Sequence, residues 1–252
     1  MNKNITIEIC CGSYEDVLAS KEAGAHRAEL NSALFLGGLT PSLGAFLLAK
    51  QVEGIQILPM VRPRQAGFFY NDAEYETMVR DAKLFVEHGA EGIVFGFLNA
   101  DGTVDEGRTA EFVKLTGEGD AVFHRAFDLT PDPFAAMETL INCGVKRILT
   151  SGQAPSVPEG LELIKELVER AKGRIEILPG AGIRPTNVAK IVEYTGVNQL
   201  HFSAMTQRHE PSNLHNPSLT FGGALRIRED LVDVISAGKI TQVTEALNAY
   251  RG

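Results

Sequence analysis

The strongest constraint in this sequence is a repeated pattern. Eight times along 252 residues, a short run rich in β-branched side chains is followed by a loop and then by a stretch with helical spacing of apolar residues. The runs begin near Ile5, Arg27, Ile55, Gly92, Ala121, Arg147, Ile175 and Gln199, with amphipathic stretches such as Glu74 to His88 and Pro158 to Lys172 between them. Strands separated by helices pair in parallel, because each crossover must return the chain to the same end of the sheet. Eight such units predict an α/β fold of the (β/α)8 TIM-barrel type, as one domain over residues 1–252; such barrels take roughly 250 residues. The alternative, an open doubly wound sheet, usually carries a Gly-rich phosphate turn after its first strand. Here Cys10-Cys11-Gly12-Ser13 stands in that position.

Local signals refine the pattern. Thr40-Pro41 predicts a helix start, with an N-cap followed by proline in the first turn, and Arg184-Pro185-Thr186-Asn187 predicts another. Gln207 to Gly222, polar and rich in Pro and Asn, predicts a surface loop after the eighth strand. The net charge of −8 argues against nonspecific binding to DNA or anionic membranes. Cys10, Cys11 and Cys143 are odd in number, and two of them are adjacent, so they are no disulfide framework and point to a reducing, cytoplasmic setting. The start, Met1-Asn2-Lys3-Asn4, runs into a segment containing Glu8 and lacks a signal-peptide pattern, and no apolar stretch approaches the length of a membrane span.

Alternation along each strand predicts which side chains enter the barrel. Ile5, Ile7 and Ile9 should pack on helices, which turns Glu8 and Cys10 inward. By the same parity Arg27, Glu29 and Asn31 face in from strand 2, Arg62 from strand 3 with Arg64 at the rim, and Gln199, His201 and Ser203 from strand 8. Strand 5 ends in His124-Arg125-Ala126-Phe127-Asp128. Buried carboxylates need partners, and Arg62, Arg64, His124 and His201 are the partners expected for Glu8 and Glu29. Polar groups drawn from many strands to one end of a barrel mark its functional mouth. The alternative is a structural ion-pair network.

At these residues the sequence resembles the CutC family. The matching stretches are Glu8-Ile9-Cys10-Cys11, Arg27-Ala28-Glu29-Leu30, Gly37-Gly38-Leu39-Thr40-Pro41-Ser42, Arg62-Pro63-Arg64 with Phe69-Tyr70, and Asp101-Gly102-Thr103-Val104-Asp105. They continue with Phe123-His124-Arg125-Ala126-Phe127-Asp128, Leu149-Thr150-Ser151-Gly152-Gln153, Gly180-Ala181-Gly182 and His201-Phe202-Ser203-Ala204, in the family's order over about four fifths of the chain. The resemblance implies a cytosolic barrel that self-associates as a dimer or tetramer and takes part in copper homeostasis. Asn31 stands where many members have cysteine, and Phe202 where many have serine.

Two functional readings follow, and a binding or scaffold protein on a relic barrel is a third. As a copper protein, the chain would use Cys10 and Cys11, since Cu(I) prefers thiolates. As an enzyme, it would act on a small anionic ligand, phosphorylated or carboxylated. Glu8, Glu29, His124 and Asp128 are then the candidate catalytic groups. Arg62, Arg64, Arg125, Ser151, Gly152, Gly180, Gly182, His201 and Ser203 are the candidate binding groups, with Arg184 as a further cation. Histidines 209 and 215 fall in the long loop and read as solvated.

Overall fold

The computed structural model describes residues 5–222, 225 and 228–251; Met1 to Asn4, read above for a leader, lie outside them. The chain runs β1 (Thr6–Cys11), α1 (Tyr14–Glu22), β2 (Arg27–Leu30), α2 (Leu43–Ala49), β3 (Gln56–Pro59), α3 (Asp72–Glu87), β4 (Gly92–Phe95) and α4 (Glu106–Thr116). It continues β5 (Asp120–Phe123), α5 (Pro133–Cys143), β6 (Arg147–Thr150), α6 (Leu161–Ala171), β7 (Glu176–Pro179), α7 (Val188–Thr195) and β8 (Gln199–Phe202). A hairpin of β9 (Met205–His209) and β10 (Leu231–Ile235) precedes α8 (Ala237–Arg251).

The first eight strands form two parallel arcs, β3-β2-β1-β8 and β4-β5-β6-β7. Parallel bridges Met60–Val94 and Gly180–His201 join the arcs at both seams and close the barrel. Ile7, Ile9, Ala28, Leu30 and Ile57 are buried in the main apolar core, as their alternation requires. No helix among the described residues is long and apolar enough to cross a membrane.

Two local expectations are corrected. Helix α2 starts at Leu43, capped by Ser42, whose hydroxyl accepts from the Ala45 amide. Thr40 instead exchanges hydrogen bonds through Oγ1 with the backbone of Arg62, tying the loop after β2 to the end of β3. The Gln207–Gly222 segment is not all loop: Gln207, Arg208 and His209 belong to β9 and pair antiparallel with β10. This ribbon is mostly exposed, so no alternation of apolar residues announces it. It is fastened by Asp16, which accepts from the amides of Gly12 and Ile235.

The interior has a charged floor. Arg147 donates to Asp120, Glu176 and Gln199, and Arg27 donates to the same Gln199 oxygen at 2.6 Å. Above this floor the wall divides, with Leu58, Met60, Val94 and Val122 forming an inner apolar cluster contributed by β3 to β5 and the segment after β3. Strands β1, β2 and β8 supply Glu8, Arg27, Glu29, Gln199 and His201, all buried. Removing Arg147 leaves Asp120 without its ion pair and Glu176 with only Lys146 and Gln199; breaking a fully buried pair costs about 3–5 kcal/mol. Asp120 and Glu176 are 31% and 35% exposed, so Arg147→Ala is expected to lose about 2–3 kcal/mol in urea unfolding. An unchanged midpoint would show that the floor contributes nothing.

Candidate functional site

Glu8 lies at the centre of the polar wall. Arg27 Nε donates to its Oε2 at 2.7 Å, and His201 Nδ1 lies 2.8 Å from Oε1. The cause is register: Glu8 is paired with Arg27 on one side and His201 on the other, so all three point inward at one level. Burial pushes the Glu8 carboxyl up, but the His201 hydrogen bond and the charges of His201, Arg27 and Arg147 outweigh it and hold the pKa at about 2. Of the expected partners only His201 takes part; Arg62, Arg64 and His124 do not.

Because Glu8 occupies Nδ1, His201 presents Nε2 upward. There Cys10, Glu29 and His201 bring one ligand atom each within 4.8 Å of one another. Asn31 Nδ2 organises the group, donating to Glu29 Oε2 at 2.9 Å and lying 3.6 Å from Cys10 Sγ. Burial and the Glu8 charge raise the Glu29 pKa, and burial and Glu29 raise the Cys10 thiol well above its ordinary value. Burial pulls His201 down, but the two glutamates overcome it and keep the ring more basic than usual.

The opposite wall carries Arg62 and His124. Arg62 is buried, with its Nη atoms on the carbonyls of Leu36, Gly37, Gly38 and Ala66 and its charge over the Phe68 ring. His124 Nδ1 accepts from the Ala126 amide. Burial and the Arg62 charge hold His124 down to about 3; it is therefore a neutral ring whose Nε2–H is a donor. Its Nε2 has no hydrogen-bond partner among the described residues. A side chain at Gly96 would place Cβ 2.4 Å from His124 Cε1, so this glycine makes room for the ring. Glu29, Arg62, His124, Cys10 and His201 share a cavity of about 160 Å³.

The cavity adjoins a wider recess of about 840 Å³, also reached by Cys10, Arg125 and His201 and lined by Gly180, Gly182 and Ser203. Other expected residues lie elsewhere. Arg64 pairs with Glu74, stacks over Tyr70 and lines a separate outer recess. Asp128 accepts from Thr150, the Ser151 and Gln153 amides, and Arg125, so its lone pairs are taken by structure. Ser151 is bound to Asp128 and the Ala154 carbonyl, and Gly152 packs against Gly160. Cys11 faces the helices, with Sγ 3.3 Å from Ser20 Oγ, and cannot join Cys10 at one metal. The alternation that placed Ile7 and Ile9 outward carried this signal. Lys239, from α8 far along the chain, also lines the wider recess, and nothing local in the sequence placed it there.

The Glu8 geometry gives a pH prediction. A carboxyl depressed on folding stabilises fully above its unfolded pKa and loses that contribution as pH falls through the folded value. For Glu8 the window runs from about 4.5 down to about 2. Urea midpoints should fall through this window, and Glu8→Gln should flatten the fall while lowering stability at neutral pH. Profiles of identical shape would show that Glu8 is not the buried anion described.

A family model described as CutC family matches residues 5–206. A Treponema denticola protein named as a CutC family protein is 54% identical over 97% of this chain and 100% of its own. The human copper homeostasis protein cutC homolog is 40% identical over 93% of this chain and 86% of its own. A solved Streptococcus agalactiae structure named for CutC superposes with a TM-score of 0.75 at 35% identity, covering 79% of this chain and 98% of that one. With the family pattern running through most of the chain and relatives this similar along nearly all of it, the chain belongs to the CutC family.

Proposed function

We propose that this protein acts in copper homeostasis by holding Cu(I) at Cys10 and His201, with Glu29 alongside. The observation that carries the reading is the convergence of these three groups on one point. Thiolate and imidazole are suitable copper ligands. The Glu8 carboxylate on His201 Nδ1 supplies the outer-shell hydrogen bond that orients a ligating imidazole and leaves Nε2 for the metal. Glu29 Oε1 is buried without a hydrogen-bond partner, so it is a donor atom awaiting a charge. Since the Cys10 and His201 pKa values are both raised, loading must displace their protons, and affinity should rise with pH. We place the protein in the cytoplasm, where a reducing environment keeps Cys10 free, and as a homo-oligomer.

A second reading is supported by a different observation. Arg62 Nε and His124 Nε2, like Glu29 Oε1, are buried without partners around the same cavity. Such groups suit a small anionic metabolite bound with an oxygen toward Arg62 and His124, with Glu29 placed for proton transfer. Mass spectrometry of material co-purifying with the native protein tests this reading: a stoichiometric organic anion supports it, and its absence from wild type counts against it.

Copper binding separates the two cysteines. In competition with a Cu(I) chelator, Cys10→Ser is expected to weaken binding by about tenfold or more, while Cys11→Ser leaves it near wild type and lowers stability instead. Asn31→Cys should tighten binding by adding a second soft ligand. Undiminished affinity in Cys10→Ser would overturn the proposed site.

A further inference from the structure

The wider recess carries a second kind of chemistry. In a chain of net charge −8, its lining contains Arg125, Arg184 and Lys239 and no carboxylate. These cations come from three distant parts of the chain, and two are held in place. Asp128 and Ser151, outside the lining, grip Arg125 through Nε and Nη2, and the Met205 carbonyl accepts from Lys239 Nζ at 2.5 Å. Arg184 is exposed and makes no ion pair among the described residues.

The backbone adds donors. Between β7 and α7 the chain passes Ala181 at φ 100° and Gly182 at φ 75°. For alanine this is a sparsely populated conformation. Ala181, Gly182 and Ile183 all line the recess, and their amides have no acceptor among the described residues. Successive free amides beside cations form an anion cradle. A phosphate monoester, a dianion with several acceptor oxygens, fits this donor set better than a single carboxylate.

We propose that the recess binds the phosphate of a small phosphorylated molecule, held by Arg184, Lys239, Arg125 and the Ala181–Ile183 amides. The volume, about 840 Å³, leaves room for more than the phosphate. The rest of the molecule extends past Cys10 and His201, which border both spaces, toward Arg62 and His124 in the inner cavity. This deepens the second reading above, and rests on it, by naming the substrate class.

The test uses the whole protein at low ionic strength, with inorganic phosphate, glycerol 3-phosphate and the carboxylate glycerate as probes in calorimetric titration. Both phosphates are expected to bind and to raise Tm, with binding weakened by added salt. Arg184→Glu and Lys239→Glu should each weaken phosphate binding by about tenfold or more, and Lys114→Glu, at an exposed position of α4, should not. Arg184→Gln provides a milder variant if charge reversal disturbs folding. Phosphate binding that ignores the Arg184 and Lys239 variants would overturn the assignment. Binding of glycerate alone, dependent on Arg62 and His124, would overturn the phosphate subsite and leave the metabolite reading standing. Binding of none of the three probes would remove both.

Discussion

The structure depends on how one buried carboxylate is satisfied. Glu8 is 1% exposed inside the barrel, and an ion there is tolerated only with charges and hydrogen bonds around it. Arg27 and His201 provide them from the two strands flanking β1. Two consequences follow. The Arg27 head group is turned toward the floor, where it shares Gln199 with Arg147. The imidazole is fixed with its other nitrogen facing the mouth, beside Cys10 and Glu29. The charged floor below and the Cys10–Glu29–His201 cluster above thus meet at the same carboxylate.

Much of this was legible in the sequence. The eight-unit rhythm predicted the barrel, and the isoleucines of β1 located Glu8 and Cys10 on the inner face. Arg27, Glu29, Asn31, Arg62 and His201 followed from the same parity. What stayed hidden was partner choice, because parity gives a direction and not a height. Arg62 points inward as expected, yet the carbonyls of the Leu36–Gly38 turn claim it before either glutamate does. Arg64 has the parity of Arg62, but the chain leaves the strand at Pro59 and delivers it to Glu74. Asp128 lies in a 3-10 turn after β5, where alternation no longer applies. The β9–β10 ribbon was missed because both its strands are largely exposed and carry no amphipathic signature.

The site's two kinds of chemistry occupy adjoining spaces. Cys10, His201 and Glu29 offer one soft, one borderline and one hard donor beside the polar wall. Arg62 and neutral His124 offer hydrogen bonds to oxygen from the opposite side of the same cavity, and the outer recess adds cations. Copper at Cys10 would neutralise part of the negative charge of Glu8 and Glu29 and would border the wider recess. A bound metal and a bound anion would therefore affect each other's affinity, through the reciprocity that governs linked binding.

The central claim is that His201, set by Glu8, presents Nε2 to a metal held by the single thiolate of Cys10. X-ray absorption at the copper edge of the Cu(I)-loaded protein tests it most directly. One sulfur together with nitrogen or oxygen neighbours is expected, with loss of the imidazole scattering in His201→Ala. A site with two sulfur ligands, or an unchanged spectrum in His201→Ala, would contradict it.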